Sequence, residues 1–167
     1  QGGLASHGGG IGILIAIYLF SVKEKLAFMW VADRIALVVP LCGGFIRLGN
    51  LMNSEMIGIP SNAPWAFVFT GVDSIPRHPA QLYEALFCFI LFAVLYAVYK
   101  RGTLLKQGDL FALLLISLFS FRIFDEFFKI NQSTFEEGMF LNMGQLLSIP
   151  FILVGIAILL FRRRLKR

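Results

Sequence analysis

Four basic residues stand at unusual places in a strongly apolar chain: Arg47, Arg77, Arg122 and Lys129. The three arginines lie at or beside apolar runs, and Glu55, Glu84, Asp125 and Glu126 are candidate partners near them. Charge held against such runs is costly and calls for a partner or a ligand. Arginine's planar fork can hold two oxygens of a phosphate at once. Two chemistries therefore compete: internal ion pairs that fix helix packing, and a binding site for an anion. Lys129, in a stretch with Glu136 and Glu137, reads instead as a solvated surface residue.

These residues fall in four polar constellations. Ser6-His7-Gly8-Gly9-Gly10 opens the first apolar run. Glycines let a helix or a ligand approach the backbone closely, and a helix start biases His7 toward neutral imidazole, which can accept a proton. Next comes Arg47-Leu48-Gly49-Asn50, running on through Asn53 and Glu55 to Gly58. Arg47 and Asn50, three apart, share a face if the helix continues, and Glu55 can hold an arginine or a hydroxyl. In Arg77-His78-Pro79-Ala80-Gln81-Leu82-Tyr83-Glu84, Pro79 suits the first turn of a helix, while Gln81 and Glu84 can face a bundle interior. Finally, Arg122 and Glu126 are spaced for an intrahelical pair, or Arg122 supplies a second anion contact. Each constellation also has a plain account as glycine packing, helix capping or ion pairing.

The elements that must position them follow from composition. Of 167 residues, 57% are hydrophobic and only 15% charged, with 18 Phe. A soluble domain carries about a quarter charged residues, so a soluble globular domain and a disordered chain are both excluded. The expected fold is all-α: a polytopic transmembrane helix bundle forming one domain over 1–167. Crossing a bilayer takes roughly 20 helical residues, which gives five spans, about 4–22, 26–46, 80–99, 108–124 and 144–161, with a short outer polar loop about 51–78. Lys23, Lys25, Lys100, Arg101, Lys106, Arg162, Arg163, Arg164, Lys166 and Arg167 all follow odd-numbered spans. Simple alternation puts them on one side, the cytoplasmic one. The net charge of +5 is thus an orientation signal, and no nucleic-acid partner is expected. Arg34 is expected to pair with Asp33. Cys42 and Cys88 read as small buried apolar residues. No His, Cys and carboxylate cluster has metal-ligand spacing, so neither a metal nor a cofactor is expected. The sequence starts at Gln1 inside a glycine-rich motif and reads as a piece of something longer.

Five motifs occur in order: Ser6-His7-Gly8-Gly9, Arg47-x-Gly49-Asn50-x-x-Asn53-x-Glu55-x-x-Gly58, Arg77-His78-Pro79-x-Gln81-Leu82-Tyr83-Glu84, Phe121-Arg122-x-x-x-Glu126-Phe127 and Met143-Gly144-Gln145-x-Leu147-Ser148-Ile149-Pro150. Together they resemble bacterial phosphatidylglycerol–prolipoprotein diacylglyceryl transferases. The resemblance implies a multi-pass enzyme of the bacterial inner membrane, of which this chain supplies the last five of seven helices. It implies transfer of the diacylglyceryl group of phosphatidylglycerol to the lipobox cysteine thiol of a prolipoprotein signal peptide, with release of glycerol phosphate. By the same resemblance, His7, Arg47 and Arg122 are the catalytic candidates. Arg47, Asn50, Glu55, Gly58, Arg77, His78, Gln81 and Glu126 are the substrate-binding candidates, and His78 is the second candidate base. Ile46, Leu51, Leu118 and Gly10 stand where the family usually has other residues. The competing readings are a transporter or flippase for anionic lipid, which needs polar residues through both halves of the bundle, and a non-catalytic bundle whose arginines are all paired.

Overall fold

A computed structural model describes residues 6–102, 106–129 and 142–164, and within them the side chains of residues 9, 10 and 12–161. Five helices follow the five expected apolar runs: α1 (Ser6–Lys23), α2 (Phe28–Met52), α3 (Ala80–Arg101), α4 (Asp109–Asp125) and α5 (Met143–Arg164). Three stretches, Phe28–Met52, Ala80–Arg101 and Met143–Phe161, are long and apolar enough to cross a membrane. The apolar part of α1 is shorter, Gly12–Lys23, and α4 has 17 residues.

The helices bury a narrow stripe and expose a broad apolar surface, as a bundle immersed in lipid does. On α3 the buried side chains are Gln81, Glu84, Ala85, Cys88, Leu91 and Leu95, spaced at three and four. On the other face Leu86, Ile90 and Val94 are exposed. In water that outer stripe would be an extensive unpartnered apolar patch. The interior cluster is Ala36, Leu91, Leu95, Leu110 and Leu114, joining α2, α3 and α4. Small residues set the close crossings. A Cβ on Gly44 would stand 2.6 Å from the Phe89 ring of α3, and one on Gly155 of α5 would stand 3.0 Å from the Ala112 carbonyl of α4.

The ends of the bundle differ in chemistry. At one end Asp33 of α2 is buried and accepts from the backbone of Gly108 (2.7 Å) and Phe111 (2.9 Å), satisfying donors that the start of α4 leaves open. The expected Asp33–Arg34 pair therefore does not form. Arg34 instead lies 3.9 Å from the Trp30 ring centroid and donates to the Trp30 carbonyl. Lys23, Arg101 and Lys106 stand at this same end. Both cysteines are free, but only Cys88 is buried; Cys42 is exposed on α2.

At the other end α2 continues to Met52, six residues past its expected end, so Arg47 and Asn50 are helical. The chain then runs through residues 53–79 with little regular structure. Strands β1 (Phe67–Val68) and β2 (Pro76–Arg77) pair antiparallel, with Phe67 opposite Arg77. Beside them, the segment 58–61 is stitched on two sides. Gly58 and Ile59 exchange backbone hydrogen bonds with His78 (3.2 and 3.0 Å), and Ile59 also donates to the Phe128 carbonyl (2.9 Å). The outer segment thereby ties the start of α3 to the single 3-10 turn Glu126–Phe128 that ends α4.

Candidate functional site

Three elements bring charge together at this end. Arg47 comes from the last turns of α2, Glu84 from the first turns of α3, and Asp125, Glu126 and Lys129 from the end of α4 and the turn after it. Arg47 Nε lies 2.8 Å from Glu84 Oε2, while Lys129 Nζ lies 2.9 Å from Glu84 Oε1 and 3.0 Å from Asp125 Oδ2. Glu126 Oε2 is 3.9 Å from the same Nζ. Arg47 Nε approaches its carboxylate off the hydrogen-bonding direction, so this contact is an ion pair without a directed hydrogen bond. With its amide turned to suit both neighbours, Asn50 donates to the Ile46 carbonyl (3.2 Å) and accepts from Arg47 Nη1 (3.3 Å). The shared face expected of Arg47 and Asn50 is thus realised.

Exposure grades across the network. The Lys129, Asp125 and Glu84 side chains are 3%, 1% and 8% exposed, whereas Arg47 is 17% exposed. A guanidinium has five N–H donors. Asn50 engages one of the Arg47 donors and Glu84 pairs with its charge, while the side chain keeps partial access to its surroundings. Arg47 is therefore the member best placed to meet an anion, and the acids behind it hold its orientation.

A second set surrounds it. Gly58 packs so closely that a Cβ would fall against the His78 carbonyl and 2.8 Å from the Phe128 carbonyl. Arg77 is buried, donates to the Gly58 carbonyl (3.4 Å), and is paired with Asp73. That pairing holds the Asp73 carboxyl below its ordinary value, chiefly through the Arg77 hydrogen bond and then through the Ile75 N–H. Gln81, fully buried, donates to the Glu55 carbonyl. Trp65 Nε1 donates to the Tyr83 hydroxyl (2.8 Å), which lies 3.0 Å from His78 Nδ1. The indole can only donate, so the Tyr83 oxygen accepts there and its own hydrogen is free to go to His78 Nδ1. With the Tyr83 hydrogen directed at Nδ1, Nε2 carries the ring N–H; with Nδ1–H donating to the second lone pair of Tyr83, Nε2 is the acceptor.

The structure thus brings Arg47, Asn50, Gly58, Arg77, His78 and Gln81 to one end of the bundle. Other expectations change. Glu55 is exposed and contributes its backbone, not its carboxylate. Glu126 does not pair with Arg122: its charged neighbour is Lys129, and its carboxylate packs where a Cβ on Gly144 of α5 would stand, 2.6 Å from Cδ. Arg122 is half-buried and has no ion pair among the described residues. Lys129 is not a solvated surface residue but the most enclosed cation of the network. Its signal was present in the sequence, as i, i+4 and i, i+3 spacing to Asp125 and Glu126. His7 falls on the first turn of α1, and its side chain lies outside the described residues.

Among the described residues no cluster of His, Cys, Asp and Glu could hold a metal ion. The polar network serves an organic or phosphate ligand better, since its outermost member is a guanidinium.

Helices with an apolar outer face, three of them long enough to cross a bilayer, and a charged network gathered at one end define a helical membrane bundle. The family model described as prolipoprotein diacylglyceryl transferase matches residues 1–161, and the chain belongs to that family. It is similar to proteins named phosphatidylglycerol–prolipoprotein diacylglyceryl transferase. The one from Bacteroides fragilis is 52% identical over 165 residues, covering 98% of this chain and 60% of the relative. The one from Tolumonas auensis is 46% identical over 167 residues, covering 99% and 65%. The one from Chloroherpeton thalassium is 47% identical over 161 residues, covering 95% and 60%. The chain thus spans somewhat less than two thirds of the length of these relatives.

Proposed function

We propose that the chain carries the donor-lipid site of a phosphatidylglycerol–prolipoprotein diacylglyceryl transferase. The observation that carries this reading is Arg47: a guanidinium at the end of a membrane-length helix, held from behind by Glu84 and Asn50 and open on its outer side. The relatives' names supply the donor and the acceptor class.

In this reading the headgroup phosphate of phosphatidylglycerol meets Arg47, with Arg122 as a second cation. The acceptor is the thiol of a lipobox cysteine in a prolipoprotein signal peptide. Its sulfur attacks the glyceryl carbon, the carbon–oxygen bond to the phosphate breaks, and glycerol phosphate leaves as the thioether forms. A free thiol ionises near about pH 8.5, so a base must take its proton and the positive field must favour the thiolate. His7 takes that proton. His78, with Nδ1 facing Tyr83, donates from Nε2 to an oxygen of the headgroup. Charge that builds on the leaving phosphate is stabilised by fixed arginine donors. Gly58 lets the lipid approach the backbone, Arg77 and Gln81 hold the outer segment in place, and Glu126 and Glu55 line its margins. Five spans cross a bacterial inner membrane, basic ends in the cytoplasm, site toward the outer half.

The test is direct. The complete gene product, purified in neutral detergent, is incubated with phosphatidylglycerol and a lipobox peptide, and the peptide is weighed. A diacylglyceryl adduct on cysteine, absent with a Cys→Ser peptide, is the expected result. No adduct from folded protein would overturn the proposal.

A further inference from the structure

We propose that Lys129 is a positioning residue for Arg47, acting through Glu84, so that the donor lipid is gripped only while this buried lysine is in place. The inference rests on the donor-site reading above and assigns the network behind the guanidinium.

The geometry is a relay across three elements. Among the described residues Glu84 is the only acid that contacts both cations: Oε2 faces Arg47 at 2.8 Å and Oε1 faces Lys129 at 2.9 Å. Lys129 is itself anchored. Its Nζ also meets Asp125 at 3.0 Å, its backbone bridges to Gly58, and its side chain is 3% exposed. Each half of the Glu84 carboxylate is thus occupied, and the group cannot turn. Glu84 so held keeps Arg47 Nε at ion-pair distance, and the Nη1 contact with Asn50 orients the plane of the fork. Bidentate recognition of phosphate depends on that plane.

Without the Lys129 ammonium, Glu84 and Asp125 face each other across an unfilled site, and Arg47 already pairs with one of them. Buried carboxylates left in that condition recruit what cation they can. Arg47 would swing inward to serve both acids, and its outward donors would be lost to the ligand. Asp125 Oδ1 already has no hydrogen-bond partner among the described residues, so an acceptor for such a swing is in place. Among the described residues the charged groups in contact with Lys129 are Glu84 on α3 and Asp125 and Glu126 at the end of α4, and Arg47 of α2 stands on the other oxygen of Glu84.

The experiment compares wild type, Lys129→Met, Lys129→Arg and the double variant Lys129→Met/Glu84→Gln. Two readouts are taken on folded protein: KM and kcat for phosphatidylglycerol, and the rise in Tm that phosphatidylglycerol produces in neutral detergent. Lys129→Met is expected to raise KM at least tenfold, with a smaller change in kcat, and to lose most of the lipid-induced Tm rise. Lys129→Arg is expected to recover both to within a few-fold. The double variant removes one of the two acids left uncompensated; it is expected to regain part of the thermal stability while its KM stays high, because Arg47 is still untethered. A merely structural lysine predicts lowered Tm with unchanged KM and an unchanged lipid response in folded Lys129→Met. That outcome overturns the inference. Should Lys129→Met fail to fold, Lys129→Gln is read in its place with Glu84 intact, and there a high KM supports positioning while a wild-type KM refutes it. Failure of the donor-site reading looks different, because wild type itself then shows no adduct. The inference fails with it if phosphatidylglycerol also gives no Tm rise that Arg47→Ala abolishes.

Discussion

Arg47 Nε and Glu84 Oε2 stand 2.8 Å apart and join the end of α2 to the start of α3. Glu84 also carries Lys129 at 2.9 Å, so one carboxylate balances two cations. Removing one partner of a buried ionic group leaves charge uncompensated, at a cost of about 3–5 kcal/mol. Glu84→Ala is therefore expected to lower stability by an amount of that order, and Glu84→Gln by less, since the amide keeps the volume and one acceptor. Thermal unfolding in detergent checks this. A Glu84→Ala protein as stable as wild type would mean that solvent or lipid reaches the two cations and replaces the acid.

Arg47→Lys keeps charge but cannot reproduce the fork. An ammonium can sit beside Glu84 or reach outward, yet it cannot hold Glu84, Asn50 and a ligand in one plane. Transfer to a lipobox peptide is expected to fall at least tenfold, and further in Arg47→Ala. Adduct formation measured by mass, with folding verified independently, is the readout. Rates within twofold of wild type in both would remove Arg47 from the donor site.

The fold was legible because each apolar run is bounded by charge or glycine, and helices appear where those runs lie. The end of α2 was misjudged because Arg47, Asn50 and Asn53 look like a loop. In the structure Arg47 and Asn50 meet on one face, the helix continues to Met52, and Asn53 is its C-cap. For the site, the arginine motif and the Gln81–Glu84 face were readable from position. Lys129 was readable only in part: its spacing to Asp125 and Glu126 is in the sequence, whereas Glu84, which links it to Arg47, is 45 residues away. Arg122 and Glu126 had ideal spacing for a pair, but Lys129 competes for the same acid from the following turn. Asp33 went the same way: it adjoins Arg34 in sequence, yet the open backbone donors at the start of α4 claim it.

Two glycines of this end give opposite expectations. A Cβ on Gly58 would meet backbone carbonyls on both sides, those of His78 and Phe128. Neither can retreat without parting the segments that hold the outer loop. A Cβ on Gly144 would meet the Glu126 carboxyl group, 2.6–2.8 Å away, which is the far end of a flexible side chain. Forced overpacking costs about 1–3 kcal/mol. Gly58→Ala is expected to lie at the upper end of that range and Gly144→Ala at the lower. Paired melting curves read the difference, and equal Tm values for the two variants would contradict the packing argument.

The outer segment carries its own acid-sensitive contact. Asp73 has its pKa lowered from 3.8, first by the Arg77 hydrogen bond and then by the Ile75 N–H. A depressed carboxyl contributes stability above its unfolded value, and that contribution is lost as pH falls through the folded one. The contact is therefore complete at neutral pH and fails only below about pH 4. The group stands at the solvent edge, so screening keeps the effect small. Trp65 fluorescence should report loosening of the segment in that window, and Asp73→Asn should loosen it at every pH. An unchanged acid transition in Asp73→Asn would exclude this pair as its cause.

The two histidines are expected to separate by their pH dependence. Trp65 donates to the Tyr83 hydroxyl at 2.8 Å, and that hydroxyl lies 3.0 Å from His78 Nδ1. The indole donates to Tyr83, and in the proposed arrangement the Tyr83 hydrogen runs on to Nδ1. His78 then holds its hydrogen on Nε2, which suits donation to a phosphate or ester oxygen and not removal of a thiol proton. His7, on the first turn of α1, is left as the base. His78→Gln keeps an amide donor and should retain the rising limb of the pH–rate profile, with activity down several-fold. Tyr83→Phe unfastens the same ring and should act in the same direction more weakly. His7→Gln should abolish the limb, because no other imidazole is available to take the proton. If the limb instead disappears in His78→Gln and survives in His7→Gln, the roles are exchanged, and the Tyr83 hydroxyl must be accepting from Nδ1–H with Nε2 as the free base.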